Sequence, residues 1–374
     1  MRGPAVQPIV IAAGGTGGHF FPAEALAAEL AARGHRIVLL TDARSGALSS
    51  PVFAGREQYV IRGAGIAGRG VWRGAKAIGS LAAGVVQARG ILARIDAGCV
   101  VGFGGYPCVA PILAAGLLRR RPAAILQEQN AVLGRANRFL AKRADVLALG
   151  FEGTQGVPAG TCTEVTGNPV RPAIAALSQT EYTPPTDRIR LLILGGSLGA
   201  RVFSDIVPAA LRLLPEPLRV RLSVVQQTRP EDMERVRIAY AADGIAAELS
   251  PFFPNVAERL AAAHLTIARA GASTVAELAV AGGPAILVPL PGAIDDHQSA
   301  NARALAASGG AWVMPQPEFM PTALAARLAS VLADPAGLIR AALAARAHAR
   351  ADAASRLADL VEARMPVAPE GKRL

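Results

Sequence analysis

The chain has 374 residues, 52% of them apolar and 4% aromatic, with 39 Gly and 27 Pro. This composition excludes a disordered, collagen-like or disulfide-built chain, leaves room for two ordinary domains, and demands cores of Ala, Leu, Val and Ile. The formal charge of +11 is carried almost wholly by Arg, Lys standing only at Lys76, Lys142 and Lys372. It favours anionic partners (phosphorylated substrates, anionic lipid or nucleic acid), although a GC-rich genome gives the same bias.

Cys99, Cys108 and Cys162 lack metal-ligand spacing and cannot all pair, which suits a reducing cytoplasm. The opening "MRGPAVQPIVIAAGG" runs into a strand and glycines rather than the apolar core of a signal peptide.

In chain order, Ile9–Ile11 reads as a buried strand leading through "AAGGTGGHF" into a helix from about Pro22 to Ala32. "HRIVLLTD" is a second strand ending on Asp42, and further strands follow at "QYVIRG", "CVVGF", "AAILQE" and "DVLALG". Such alternation with helices and loops is the doubly wound parallel-sheet pattern. Residues 97–118 are uncharged for long enough to resemble a membrane span. Five glycines with Pro107 and Pro111 argue instead for a strand at Cys99–Phe103, a loop at Gly104–Tyr106 and a helix at Val109–Leu118.

Residues 163–188 bring prolines and polar residues without a period and read as a crossing between domains. "RLLILGGSLGARVFSDIVPAAL" then repeats strand, glycine turn and helix, and "RLSVVQQ", "AELSPFF", "LTIARAG" and "PAILVPL" complete a second sheet. The expected fold is therefore α/β of GT-B architecture, two Rossmann-like doubly wound domains facing a cleft. The boundaries are 1–172 and 173–345, with a helix near 345–364 packing back on the first domain.

A glycine-rich strand-to-helix turn lets backbone N–H groups approach an anion at a helix start. A pyrophosphate, a phosphate or a carboxylate fits, and a ligand-free tight turn accounts for the sequence too. The dinucleotide fingerprint fails: started on Gly15 its third glycine falls on Phe20, and started on Gly14 its second falls on Thr16. No Lys-Ser/Thr follows, as a P-loop requires. Asp42 is the remaining argument for a nicotinamide cofactor. His19, at the start of the helix, can accept a proton from an attacking hydroxyl, or simply hydrogen-bond substrate or cap the turn.

"ARAGASTVAELAVAGGPAILVPLPGAIDDHQSANA" is the most specific stretch. Gly271–Thr274 forms a small-residue turn at a helix start, and Glu277 lies one helical turn further on, placed to accept both hydroxyls of a ribose. Gln298 is a sugar-hydroxyl reader by its chemistry, whereas Asp295 and Asp296 read equally as helix caps. His297 beside two Asp lacks a third ligand cluster, so no metal site is expected.

"GGTGGHFFPA", "GFGGYP", "LQEQNAVLGRANRFLAKRAD", "TGNPVR", "LLILGGSLGAR", "RAGASTVAEL" and "DDHQSANA" together resemble the MurG family of peripheral membrane glycosyltransferases, over residues 8 to 360 and in the family's order. The resemblance implies inverting transfer of GlcNAc from UDP-GlcNAc to the C4 hydroxyl of MurNAc in undecaprenyl-pyrophosphoryl-MurNAc-pentapeptide, converting lipid I to lipid II. That step belongs to peptidoglycan synthesis, hence to cell shape and division, at the cytoplasmic face of the inner membrane. It implies no cofactor, no bound metal and no nucleic acid. The partners are UDP-GlcNAc, lipid I, an anionic membrane surface and cell-wall synthesis and division proteins.

Carried onto this chain, the resemblance assigns the donor to Thr16, Gly17, Gly18, Asn130, Arg171 and Ser197, with the backbone of Phe253 beside the uracil. Ala272, Ser273, Thr274, Val275, Ala276 and Glu277 take phosphate and ribose, and Gln298 the sugar. The acceptor pyrophosphate falls to Gly14–Gly18 with Gly104, Gly105 and Tyr106. His19 and Glu128 are the candidates for base or acceptor positioning. Interdomain hydrogen bonding explains Asn130 and Arg171 as well, helix capping Ser197, and core packing Phe253. Where the family has a His-Gln-x-Gly run, this chain has Gln226-Gln227-Thr228-Arg229, which puts that loop's role in doubt.

For membrane contact, Trp72 stands among Arg69, Arg73 and Lys76, followed by Ile78, Leu81, Val85, Leu92 and Ile95 at mostly helical spacing. With Arg119–Arg121 these could form a basic, partly apolar patch; packing of 78–95 on the sheet explains the same spacing. Two rival functions remain. A UDP-sugar epimerase or hydrolase on this plan would release UDP without acceptor. A non-enzymatic RNA or membrane binder would tolerate loss of Glu277.

Overall fold

The computed structural model describes residues 7–14, 17–42, 50–61, 71–196 and 199–366, the side chains of 71–76 excepted. It divides into two compact units, Met1–Arg171 with Asp352–Leu374, and Pro172–Ala351.

The first unit carries seven parallel strands: β1 (Ile9–Ala12), β2 (Ile37–Thr41), β3 (Glu57–Val60), β4 (Cys99–Gly102), β5 (Ala123–Glu128), β6 (Val146–Leu149) and β7 (Thr163–Val165). They lie in the order β3-β2-β1-β4-β5-β6-β7, with Ile9 level with Ile37 on one side and Cys99 on the other. Both faces are covered, which is why the central strands read as unbroken apolar runs. Val10, Val38, Val100 and Leu126 pack towards the helices Val71–Ile95 and Val109–Ala115. Ile9, Ile11, Leu39 and Val101 pack towards the helices Gly17–Ala32 and Ala353–Arg364.

The first helix begins at Gly17, not near Pro22. Burial decides this: Phe20 is 3% exposed and packs in the core with Ile9 and Ile11, which outweighs the helix penalty of about 1 kcal/mol for each glycine. Residues 97–118 form β4, a single 3₁₀ turn at Tyr106–Cys108 and a helix that stops at Ala115, capped by Gly116 rather than reaching Leu118. β7 falls inside the stretch expected to be a crossing.

The second unit carries β8 (Ile189–Leu194), β9 (Leu222–Gln227), β10 (Ala246–Ser250), β11 (Leu265–Ala268), β12 (Ala285–Leu287) and β13 (Ala311–Val313), all parallel, in the order β10-β9-β8-β11-β12-β13. Ile189, Leu191 and Ile193 pack in one core with Phe203, Val207, Leu324 and Leu328.

The last described helix, Ala353–Arg364, docks on the first unit. Arg33 reaches Asp359 at 2.6 Å, Glu362 at 2.8 Å and the Ser355 hydroxyl at 2.7 Å, and His35 meets Glu362 at 2.7 Å. The hydrogen bond with His35, then those from Arg33, hold the Glu362 carboxyl below its ordinary range.

Candidate active site

In doubly wound sheets, ligands bind beyond the carboxyl ends of the strands where the strand order reverses. That point lies between β1 and β4 in the first unit and between β8 and β11 in the second.

In the first unit, β4 runs through Phe103 into Gly104 and Gly105, whose φ values of 80° and 66° lie in the left-handed region that glycine tolerates. A Cβ on Gly104 would stand 3.4 Å from His19 Cε1, and one on Gly105 3.5 Å from His19 Cδ2, so the imidazole lies against this turn. His19 Nδ1 is 2.9 Å from Gln129 Oε1. Tyr106 follows, partly exposed. Gly14 is buried at the end of β1, and Gly17 and Gly18 open the helix. Gly15 and Thr16 lie outside the described residues.

Glu128, at the end of β5, is 2% exposed. Its Oε1 accepts from Asn130 N at 2.9 Å and Asn130 Nδ2 at 3.0 Å, and its Oε2 from Gly134 N and Asn137 Nδ2, both at 2.9 Å. Four donors fill the lone-pair sites of a carboxylate. Glu128 thereby braces the loop that carries Asn130. Arg171 lies with its guanidinium 4.9 Å from the centre of the Phe21 ring, beside the first turn of the glycine-loop helix.

In the second unit, the turn after β8 needs glycine at Gly195, where a Cβ would collide with the backbone N of Ala200. Gln227 ties this turn down: its Oε1 accepts from Gly195 N at 3.0 Å, and its Nε2 donates to Gly196 O at 2.9 Å and Pro251 O at 3.1 Å. Gln227, which keeps the Gln of the family's run, thus has a structural task. Ser197 lies outside the described residues. Phe253 is 5% exposed with Arg259 over its ring at 5.3 Å, so it offers a ligand backbone only; Phe252 is the exposed neighbour.

Beyond β11, Gly271 leads into the helix Ala272–Ala281, whose first backbone N–H groups point outwards as at any helix start. Ser273 and Thr274 are half-buried in its first turn, with Ala276 and Glu277 half-buried beyond them. Ala272 and Val275 bury their side chains and have only backbone to offer.

Gln298 Oε1 accepts from Ala270 N at 3.2 Å and Leu290 N at 3.0 Å, so its Nε2 takes no part in these two bonds. Asn301 Nδ2 donates to Ala270 O at 3.1 Å, so one helix holds both polar backbone atoms of Ala270. Asp295 and Asp296 sit at φ 53° and 49°, a region Asp tolerates better than most residues. Asp296 accepts from Ser299 Oγ at 2.7 Å and makes no side-chain bond to the helix backbone.

Arg269 escaped the sequence reading. It is 8% exposed and donates to Val288 O and Pro289 O at 3.1 Å and to Gln316 Oε1 at 2.6 Å, and burial pulls its guanidinium below the ordinary arginine range. The one signal was a charge directly after the apolar run "LTIA". Gln127, Gln129, Asn137 and Asn168 escaped it as well.

On the helix Val71–Ile95, Ile78 and Val86 are exposed (70% and 72%), Leu81 and Val85 pack partly on the core, and Leu92 is fully buried. Its stretch Ala77–Ile95 is long and apolar enough to cross a membrane by length and composition. The side chains of Trp72, Arg73 and Lys76 lie outside the described residues. Among the described residues no three His, Cys, Asp or Glu side chains converge as a metal site.

Residues 9–148 match the glycosyltransferase family 28 N-terminal domain, and residues 190–357 match the glycosyltransferase family 28 C-terminal domain. A protein of Granulibacter bethesdensis named UDP-N-acetylglucosamine–N-acetylmuramyl-(pentapeptide) pyrophosphoryl-undecaprenol N-acetylglucosamine transferase is 62% identical, over 99% of this chain and 97% of that one. A protein of the same name from Acidiphilium cryptum is 56% identical, over 96% of this chain and 98% of its own length. The crystal structure of MurG from Acinetobacter baumannii superposes with a TM-score of 0.76 at 30% identity, covering 96% of this chain and 99% of that one. The two sheets are accordingly the paired Rossmann-like domains of the GT-B glycosyltransferases. The chain belongs to the MurG family within glycosyltransferase family 28.

Proposed function

We propose that this chain transfers N-acetylglucosamine from UDP-GlcNAc to the C4 hydroxyl of the N-acetylmuramyl unit of undecaprenyl-pyrophosphoryl-MurNAc-pentapeptide, with inversion, forming lipid II for peptidoglycan. The observation that carries this reading is the 62% identity, across 99% of the chain, to a relative named for that transfer. The same names favour transfer over epimerisation or hydrolysis.

In this reading the second unit holds the donor. The start of the helix Ala272–Ala281, with Ser273 and Thr274, stabilises the diphosphate as charge develops on departing UDP. Glu277 accepts from the ribose hydroxyls, Gln298 Nε2 donates to the sugar, and the Phe253 backbone meets the uracil. The first unit binds the acceptor pyrophosphate along Gly14–Gly18 and Gly104–Tyr106. His19 takes the C4 hydroxyl proton as that oxygen attacks the anomeric carbon and the bond to UDP breaks. Asn130, Arg171 and Ser197 serve the donor sugar and its phosphates. The lipid acceptor puts the enzyme on the cytoplasmic face of the inner membrane. Ile78 and the start of its helix, with Trp72, Arg73 and Lys76, are the contact.

The test combines UDP-GlcNAc and a short-chain lipid I analogue with wild type and Glu277→Ala. Mass spectrometry should find one added GlcNAc, and the variant should show a raised KM for UDP-GlcNAc with the acceptor KM unchanged. An unmodified acceptor in the presence of both substrates would reject the reading.

A further inference from the structure

His19 is bonded to an amide whose orientation is not free. Asn168 Nδ2 donates to Gln129 O at 2.7 Å, which turns Asn168 Oδ1 towards Gln127 Nε2 at 3.0 Å. Gln127 therefore presents its Oε1 to Gln129, and Gln129 Nε2 donates both to that oxygen and to Phe103 O, the latter at 3.0 Å. Every step is anchored on a backbone carbonyl or on an amide already fixed by one. The three amides Gln127, Gln129 and Asn168 are all buried, so none can turn over to water without losing its partners.

Gln129 Oε1 is thereby the atom that faces His19 Nδ1, and it can only accept. His19 Nδ1 must carry the proton. Nε2 then holds the lone pair, and among the described residues it has no protein partner. The Gly104–Gly105 turn lies against the ring.

We infer that Gln129 is a positioning residue that locks His19 in its Nδ1–H tautomer, so that Nε2 is the atom that accepts the hydroxyl proton. The inference rests on the reading of His19 as proton acceptor. A carboxylate in Gln129's place would fix the same tautomer but would also make the imidazole more basic. An amide fixes it without adding charge beside an acceptor that already carries a pyrophosphate.

The test is the side-chain ¹⁵N spectrum of the full chain, with His19 assigned by its loss in His19→Gln. A free histidine favours the Nε2–H tautomer, so the outcome discriminates. The expected spectrum has a protonated Nδ1 and an unprotonated Nε2. Gln129→Met should mix the tautomers and lower kcat by roughly tenfold or more, with the UDP-GlcNAc KM unchanged. Gln129→Glu should keep Nδ1–H and move the acid limb of the kcat profile to higher pH. An Nε2–H tautomer in the wild type overturns the inference without any variant having to fold, as does a Gln129→Met protein with unchanged tautomer and kcat. If His19→Gln keeps full kcat while the wild-type tautomer is as expected, the reading of His19 as base fails and the lock stands.

Discussion

One carboxylate oxygen of Glu128 receives both the backbone N–H and the side-chain amide of Asn130, at 2.9 and 3.0 Å. Glu128→Gln puts an NH2 donor where two of the four donors now point, in a buried site. The expected cost is about 2 kcal/mol of stability, from a buried polar group left unpaired. A fall in kcat should follow from the loosened Asn130 loop, with the acid limb of the pH–rate profile unmoved. Denaturant unfolding and the pH profile of kcat check this together. Loss of kcat at unchanged stability would make Glu128 the base after all.

The clasp on Ala270 separates two kinds of effect. Asn301→Ala strands a carbonyl in a wholly buried residue and should cost about 1–3 kcal/mol. Gln298→Ala removes the Nε2 proposed to donate to the sugar as well as the two backbone bonds to Oε1, and should raise the KM for UDP-GlcNAc beyond any change in stability. Calorimetry with donor titration distinguishes the two.

Arg33→Met removes the contacts to Asp359, Glu362 and Ser355 that dock the last helix. These contacts are partly exposed, so the expected loss is about 1 kcal/mol. Amide exchange should quicken at Leu357–Val361 and stay unchanged in β9.

His264 lies buried at the start of β11, and desolvation, then the Arg190 guanidinium beside it, push its imidazole down to about 4. The folded state therefore binds its proton later than the unfolded chain, whose histidine titrates near ~6.5. Stability from this group is intact above that range and declines as pH falls from about 6.5 towards about 4. His264→Gln should flatten the decline in unfolding midpoints across that window. Equal slopes in wild type and variant would contradict it.

The central strands were legible because both sheet faces are covered, so Ile9–Ala12 and Leu265–Ala268 stand out as largely apolar runs leading into glycine turns. β7 was not, since its Thr163 and Glu164 are polar and exposed and make no apolar run, and β13 escaped as well. The helix start at Gly17 was hidden because the burial of Phe20, a tertiary effect, overrode local glycine and proline preferences. The glycine turns and Glu277 announce themselves through local spacing. The amide chain around His19 does not: Asn168 reaches Gln129 across 39 residues, and Gln129 reaches His19 across 110. The donors to Glu128 (Asn130, Gly134 and Asn137) are close in sequence, but only the turn of the loop brings them to one carboxylate.

The most direct measurement is the initial rate of UDP release from UDP-GlcNAc, with and without a short-chain lipid I analogue. Release that depends on the acceptor, matched mole for mole by disaccharide-lipid, is the expected result. Equal release without acceptor, or conversion of the donor to another UDP-sugar, would contradict the transferase and leave a hydrolase or an epimerase in its place.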